Sequence, residues 1–215
     1  MSAVLALFDF VLHVDKHLDT LIQNWGTTTY AILALVVFCE TGLVVTPILP
    51  GDSLLFAGGM FAGRGALNPH LLFVVLVCAA VAGDNVNYWF GRTLGPRVLK
   101  NEDSRIFKKK YLDRTRAFFD KYGPATVVLA RFVPIVRTFA PFVAGVGQMP
   151  YPRYLAYSVG GGIAWVGICV YAGYFLGGFD VVRNNFEIAV LLIIAVSVLP
   201  MVVEYLRHRF AAPQT

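Results

Sequence analysis

Two long apolar blocks of this chain are interrupted by proline, glycine and charge together. Residues 30–62 hold Glu40, Pro47, Pro50, Gly51, Asp52, Gly58 and Gly59, and residues 123–149 hold Pro124, Arg131, Pro134, Arg137, Pro141, Gly145 and Gly147. Proline removes a backbone donor and breaks a helix. In lipid, every backbone group released in this way needs a partner from protein or from water in a cavity. A plain lipid-facing helix cannot carry such a block. A re-entrant hairpin of two half-helices, held between spanning helices, can. Pro47, Pro50, Gly51, Pro134, Pro141 and Gly145 are the residues expected to break the two hairpins.

The remainder of the chain supplies the spanning helices. Of its 215 residues, 57% are hydrophobic and 14% are charged, where a soluble domain carries about a quarter charged. The mean hydropathy is +0.65. Residues 70–91, 153–177 and 187–206 are each long enough to cross a hydrocarbon core that needs ~20 residues. Val4, Leu7, Phe8, Val11 and Leu12 recur at helical spacing with Asp15, Lys16 and Asp19 behind them. Residues 4–22 therefore read as an interfacial amphipathic helix, without the basic start of a signal peptide. The length suits one membrane domain over 1–215.

The two broken blocks look like copies. Aligning Pro47 with Pro134 places Ala57-Gly58 on Ala144-Gly145, and Gly91-Arg-Thr-Leu-Gly95 matches Gly173-Tyr-Phe-Leu-Gly177. If each copy is a hairpin plus one crossing, successive copies lie in opposite orientations. This is the inverted-repeat logic of secondary transporters, whose sites lie at the repeat interface. The expected fold is an all-α polytopic membrane protein. It has two inverted repeats, each a re-entrant helical hairpin plus a transmembrane helix, an extra C-terminal transmembrane helix and interfacial amphipathic helices.

Charge sets the expected orientation. The formal net charge is +5, and ten lysines and arginines fall in the loop 92–122. The positive-inside rule makes this loop cytoplasmic, and Arg207 and Arg209 do the same for the C-terminus. Phe107, Tyr111, Phe118 and Tyr122 form a helical stripe, so 104–121 reads as a basic amphipathic helix on anionic lipid or as a topology determinant. The side on which the N-terminus lies stays open. Basic residues placed beside membrane segments argue against nucleic-acid binding.

Glu40, Asp52, Arg131 and Arg137 fall inside the broken blocks. One ionisable residue at the bilayer centre costs ~2.5–3.5 kcal/mol, and four unpaired ones roughly 10 kcal/mol. They must therefore face protein or water, and two acids in one block with two arginines in the other invite pairing. The structural alternative is an ion-pair network that fixes hairpin geometry, although buried pairs do not reliably add stability. The functional reading gives the planar forks of Arg131 and Arg137 to a phosphate headgroup. It gives Glu40 and Asp52 proton coupling or counter-charge, and Asp52 is also placed to cap a half-helix. Asp84 is a secondary candidate, in a spanning helix. Trp89 and Trp165 read as helix-end or packing residues. Cys39, Cys78 and Cys169 lack metal-ligand spacing, and no cofactor motif or hydrolase, protease or nucleotide fingerprint is present, so no enzyme is expected.

The run from Phe38 to Gly59, Phe-Cys-Glu-Thr-Gly-Leu-Val-Val-Thr-Pro-Ile-Leu-Pro-Gly-Asp-Ser-Leu-Leu-Phe-Ala-Gly-Gly, resembles the first signature of the bacterial DedA family. Ala130-Arg-Phe-Val-Pro-Ile-Val-Arg-Thr-Phe-Ala-Pro-Phe-Val-Ala-Gly145 resembles the second, and Gly83-Asp-Asn-Val-Asn-Tyr88 and Tyr171-Ala-Gly-Tyr-Phe extend the likeness. This family shares the VTT domain, also called SNARE-associated. The resemblance implies two re-entrant hairpins in inverted repeats and a place in the bacterial inner membrane. It implies links to proton-motive force and to movement of lipids between leaflets, with undecaprenyl phosphate and phosphatidylethanolamine as candidates. It marks the positions of Glu40, Asp52, Arg131 and Arg137 as essential. The leading expectation is a flippase- or scramblase-like translocase whose partners are phosphate-bearing lipids and protons, with homo-oligomerisation left open. A proton-coupled transporter of a small ion or drug, or a structural membrane protein, is the alternative.

Overall fold

A computed structural model of the chain describes residues 20–42 except 23, residues 51–98, 117, 119–177 and 179. The helices expected at 4–22, 104–121 and 187–206 fall wholly or largely outside the described residues, as do Pro47 and Pro50. What is described is all-helical. Helix α1 spans Thr28–Gly42, α2 Gly51–Gly63 and α3 Pro69–Val98. After a 3-10 turn at Gly123–Ala125, the short α4 spans Thr126–Leu129 and runs into a second 3-10 turn, Ala130–Phe132. Helix α5 spans Pro134–Val146 and α6 Tyr151–Leu176.

Length separates these helices into two kinds. At 1.5 Å per residue, the 30 residues of α3 and the 26 of α6 reach about 39–45 Å, beyond a hydrocarbon core of about 30 Å. Both are apolar enough to cross a membrane, over Pro69–Leu94 and Tyr151–Leu176. Helices α1, α2 and α5, at 15, 13 and 13 residues, reach only about 20 Å. Helix α2 is apolar on every side and buried from Ser53 to Ala62. It forms the centre of the main core, with Leu33 and Val37 of α1, Leu72 and Leu76 of α3, and Val166 and Val170 of α6 around it. Leu35, Leu71, Val74, Ile163, Ile168 and Phe175 point outward, which suits a molecule whose solvent is hydrocarbon.

Helices α3 and α6 pack antiparallel. His70 Nδ1 lies 2.9 Å from Tyr171 Oη at one end, and Tyr88 stacks on Tyr154 at 4.2 Å towards the other. Aromatic rings thus gather near both ends of the pair, the usual interface anchors.

Burial in lipid gives helices no hydrophobic drive to associate, so close backbone approach through glycine carries the packing. Phe56 and Gly59 of α2 stand to Val170 and Gly173 of α6 as Phe142 and Gly145 of α5 stand to Tyr88 and Gly91 of α3. In each case a side chain on the glycine would strike the opposing backbone. This packing pairs Gly59 with Gly145, one residue away from the Gly58 match that the prolines suggest. The reason is local: Pro134 itself opens α5, whereas α2 opens at Gly51, after Pro47 and Pro50.

Two of the expected hairpin breakers do not break. Pro141 lies inside α5, where its missing N–H costs one intrahelical bond, a loss tolerated in membrane helices. Gly145 lies in the last turn of α5 and is a close-packing residue. Pro134 does mark a break. It forces Val133 into extended backbone (φ −121°, ψ 105°) between the 3-10 turn and α5. Helix α2 ends in a Schellman-type cap at Gly65 (φ +80°), with Ala66 N–H on the carbonyl of Phe61. Helix α5 ends the same way, with Gln148 at φ +53° and Met149 N–H on Ala144.

Candidate functional site

The short helices bring their ends together. Glu40 sits in the last turn of α1 and Asp52 in the first turn of α2. Arg131 sits in the 3-10 turn before Val133, and Arg137 in the first turn or so of α5. All four come together halfway along α3 and α6, beside Asp84 of α3 and Trp165 of α6.

Arg137 takes both acids of the first block. Its Nη1 donates to Asp52 Oδ1 at 2.6 Å, and its Nη2 pairs with Glu40. The Glu40 carboxylate also lies against the backbone of Gly51, at the N-terminus of α2, where the helix dipole favours negative charge. Any side chain at residue 51 would collide with that carboxylate, which explains a glycine here better than hairpin breaking does. Trp165 Nε1 donates to Asp52 Oδ1 at 2.9 Å.

Arg131 goes elsewhere. Its Nη2 pairs with Asp84 and donates to the Ser158 carbonyl at 3.1 Å. Ser158 Oγ donates to Asp84 Oδ2 at 2.9 Å, and Tyr154 Oη to the Asp84 carbonyl at 2.7 Å. The expected pairing of two acids with two arginines is thus realised only at Arg137. The second arginine draws its acid from a spanning helix. Asp84, read as a secondary candidate, is a full member of the cluster. Sequence reading passed over Ser158 and Trp165 as site residues. The signal for Trp165 was its position midway along an apolar span, far from the interfaces where tryptophan usually sits.

The two units differ in access. The Arg131 and Asp84 side chains are 6% and 7% exposed, whereas Arg137 and Asp52 are 18% and 19% exposed. Between the units lies a cavity lined by Glu40, Thr41, Asp84, Arg131, Arg137, Thr138 and Trp165, with an empty volume of about 310 Å³ that includes open solvent. Asn87 of α3, fully buried, ties its two walls by donating to the carbonyls of Thr41 at 3.2 Å and Thr138 at 2.9 Å. The cavity offers two guanidiniums, each paired with a carboxylate that an incoming anion competes with.

The VTT domain family matches residues 49–175. The chain is 50% identical over 214 residues to Protein DedA of Escherichia coli (strain K12), covering 99% of this chain and 98% of that one. It is 45% identical over 197 residues to Uncharacterized membrane protein Rv0364 of Mycobacterium tuberculosis, covering 89% and 86%. It is 34% identical over 149 residues to Inner membrane protein YqjA of Escherichia coli (strain K12), covering 69% and 67%. No solved structure matches the chain. With its VTT domain, two helices long and apolar enough to cross a membrane, and 50% identity to Protein DedA over nearly the full length of both chains, the chain belongs to the DedA family of membrane proteins.

Proposed function

We propose that this protein is a lipid translocase, moving a phosphate-bearing lipid such as undecaprenyl phosphate or phosphatidylethanolamine between leaflets. The observation that carries the reading is Arg137. It is a partly accessible guanidinium at mid-length of two crossing helices, bordering a cavity and held by two displaceable carboxylates. A guanidinium fork binds phosphate through two parallel charge-assisted hydrogen bonds. The headgroup exchanges with Glu40 or Asp52 while the tails stay in the bilayer.

The finer architecture belongs to this proposal. Helices too short to cross, an α2 enclosed by protein and the reciprocal glycine contacts support two re-entrant hairpins in inverted repeats. An inner-membrane location, with the basic loop 92–122 and the C-terminus cytoplasmic, is supported by the loop's charge and by the name of the YqjA relative. Proton coupling is supported by charge balance. Among the described residues, three carboxylates face two guanidiniums, so the cluster is one positive charge short of neutrality, which a bound proton would supply.

The small size of the cavity favours one second reading, a proton-coupled transporter of a small ion or drug. Purified protein in liposomes separates the two. Under the lipid reading, accessibility of the undecaprenyl phosphate or phosphatidylethanolamine headgroup changes with protein and falls towards the protein-free rate with Arg137→Ala. Asp52→Asn and Glu40→Gln reduce its response to a proton gradient. A proton-driven flux of soluble solute, with no change in either lipid, would sink the lipid reading.

A further inference from the structure

Trp165 has contacts that packing alone does not require. It is 4% exposed and lines the cavity. Its ring lies 5.4 Å from Arg137 Cζ and 6.0 Å from Arg131 Cζ, within cation–π range of both. Its N–H rests on Asp52 Oδ1, the oxygen that also takes Arg137. The helix face below it is made for an arginine. A side chain at Gly161 would lie 3.0 Å from Arg131 Cδ and Nε and 3.2 Å from Val128 Cα. Arg131 lies along this bare face of α6, and Trp165 closes its end.

We propose that Trp165 is a positioning residue for anion uptake: its N–H is the partner that keeps Asp52 when Arg137 turns from that carboxylate to a phosphate oxygen. The proposal rests on the phosphate reading above. Each terminal nitrogen of Arg137 already donates to a carboxylate, so a phosphate that draws the guanidinium towards itself competes with Glu40 or Asp52 for it. A buried carboxylate stripped of its donor is costly. Asp52 retains a second side-chain donor in Trp165, and it is the less enclosed of the two acids, being 19% exposed against 5% for Glu40. The exchange therefore runs at Asp52. The ring meanwhile holds both guanidiniums against the cavity wall, so that Arg137 turns without leaving the site.

The test uses the purified full chain in detergent and dodecyl phosphate, a single-chain phosphate monoester, followed by titration calorimetry. Trp165→Phe keeps the ring and removes the N–H. It is expected to weaken binding about tenfold, because the half-buried Asp52 carboxylate loses the donor that stands in for Arg137. In an Asp52→Ala background the same change is expected to cost less than about twofold, because the acceptor of the Trp165 N–H is gone. A spectroscopic readout accompanies it. The chain has three tryptophans, and Trp25 and Trp89 are 58% and 46% exposed. With both replaced by Phe, emission from Trp165 is expected to shift on Asp52→Asn and on saturation with dodecyl phosphate. If Trp165→Phe fails to fold, this shift decides, and its absence overturns the proposal. Equal binding by the parent and Trp165→Phe, or equal losses in both backgrounds, overturns the proposal alone. A parent that gives no saturable heat overturns the phosphate reading and the proposal with it.

Discussion

Arg131 and Asp84 are the most enclosed opposite charges described in the site, at 6% and 7% exposure. Removing one partner of such a pair leaves a buried charge uncompensated, at a cost of about 3–5 kcal/mol. Asp84→Ala and Arg131→Ala are each expected to lower the thermal unfolding midpoint sharply in detergent. Asp84→Leu combined with Arg131→Met is expected to recover most of that loss, because desolvation of both charges disappears with them. A double variant no more stable than either single one would show that the two residues act separately. The four charges of the broken blocks were legible in the sequence, since an ionisable residue in an apolar run has few places to go. Their partners were not. Which acid meets Arg131 depends on the rotation of α3 about its own axis. Asp84, Asn87 and Tyr88 share a helix face, but nothing local says which neighbour that face meets.

The pairing of elements rests on glycine. At Gly59 and Gly173 a side chain would strike backbone atoms of the facing helix, whereas at Gly58 it would meet the Leu72 and Leu33 side chains, at 3.3 Å and 3.7 Å. Gly59→Val and Gly173→Val, which would strike the Val170 and Phe56 carbonyls, are therefore expected to separate α2 from α6 and to unfold at much lower temperature than the parent. Gly58→Ala is expected to stay within about 1 kcal/mol of it, as a flexible side chain gives way. Equal effects at Gly58 and Gly59 would refute the register in which Gly59, and not Gly58, matches Gly145. The prolines located the two broken blocks but could not fix this register. Proline marks where a helix starts or where an extended residue precedes it, as at Val133. It does not count the residues of the connecting loop. A slip of one residue turns a helix by about 100°, enough to exchange a packing glycine for its neighbour.

At the scale of the whole molecule, the antiparallel packing of α3 and α6 carries a consequence for sidedness. His70 meets Tyr171, Asp84 meets Ser158 and Tyr88 meets Tyr154. The turn that leads into α3 therefore lies at the end of the pair where α6 finishes, and the turn that leads into α6 lies at the opposite end. If both helices cross the bilayer, these two turns face opposite compartments, which inverted repeats require and a pair of repeats in the same orientation forbids. Arg64 and Gln148 are exposed in the two turns. With Cys39, Cys78 and Cys169 replaced by alanine, a cysteine at Arg64 is expected to react with a membrane-impermeant maleimide added to intact cells. A cysteine at Gln148 is expected to react only in inverted vesicles. That outcome also puts the C-terminal end of α3, and the basic loop after it, on the cytoplasmic side. Labelling of both positions from one side would mean that at least one of α3 and α6 does not cross. It would remove the mid-membrane placement of Arg137 on which the translocase reading depends.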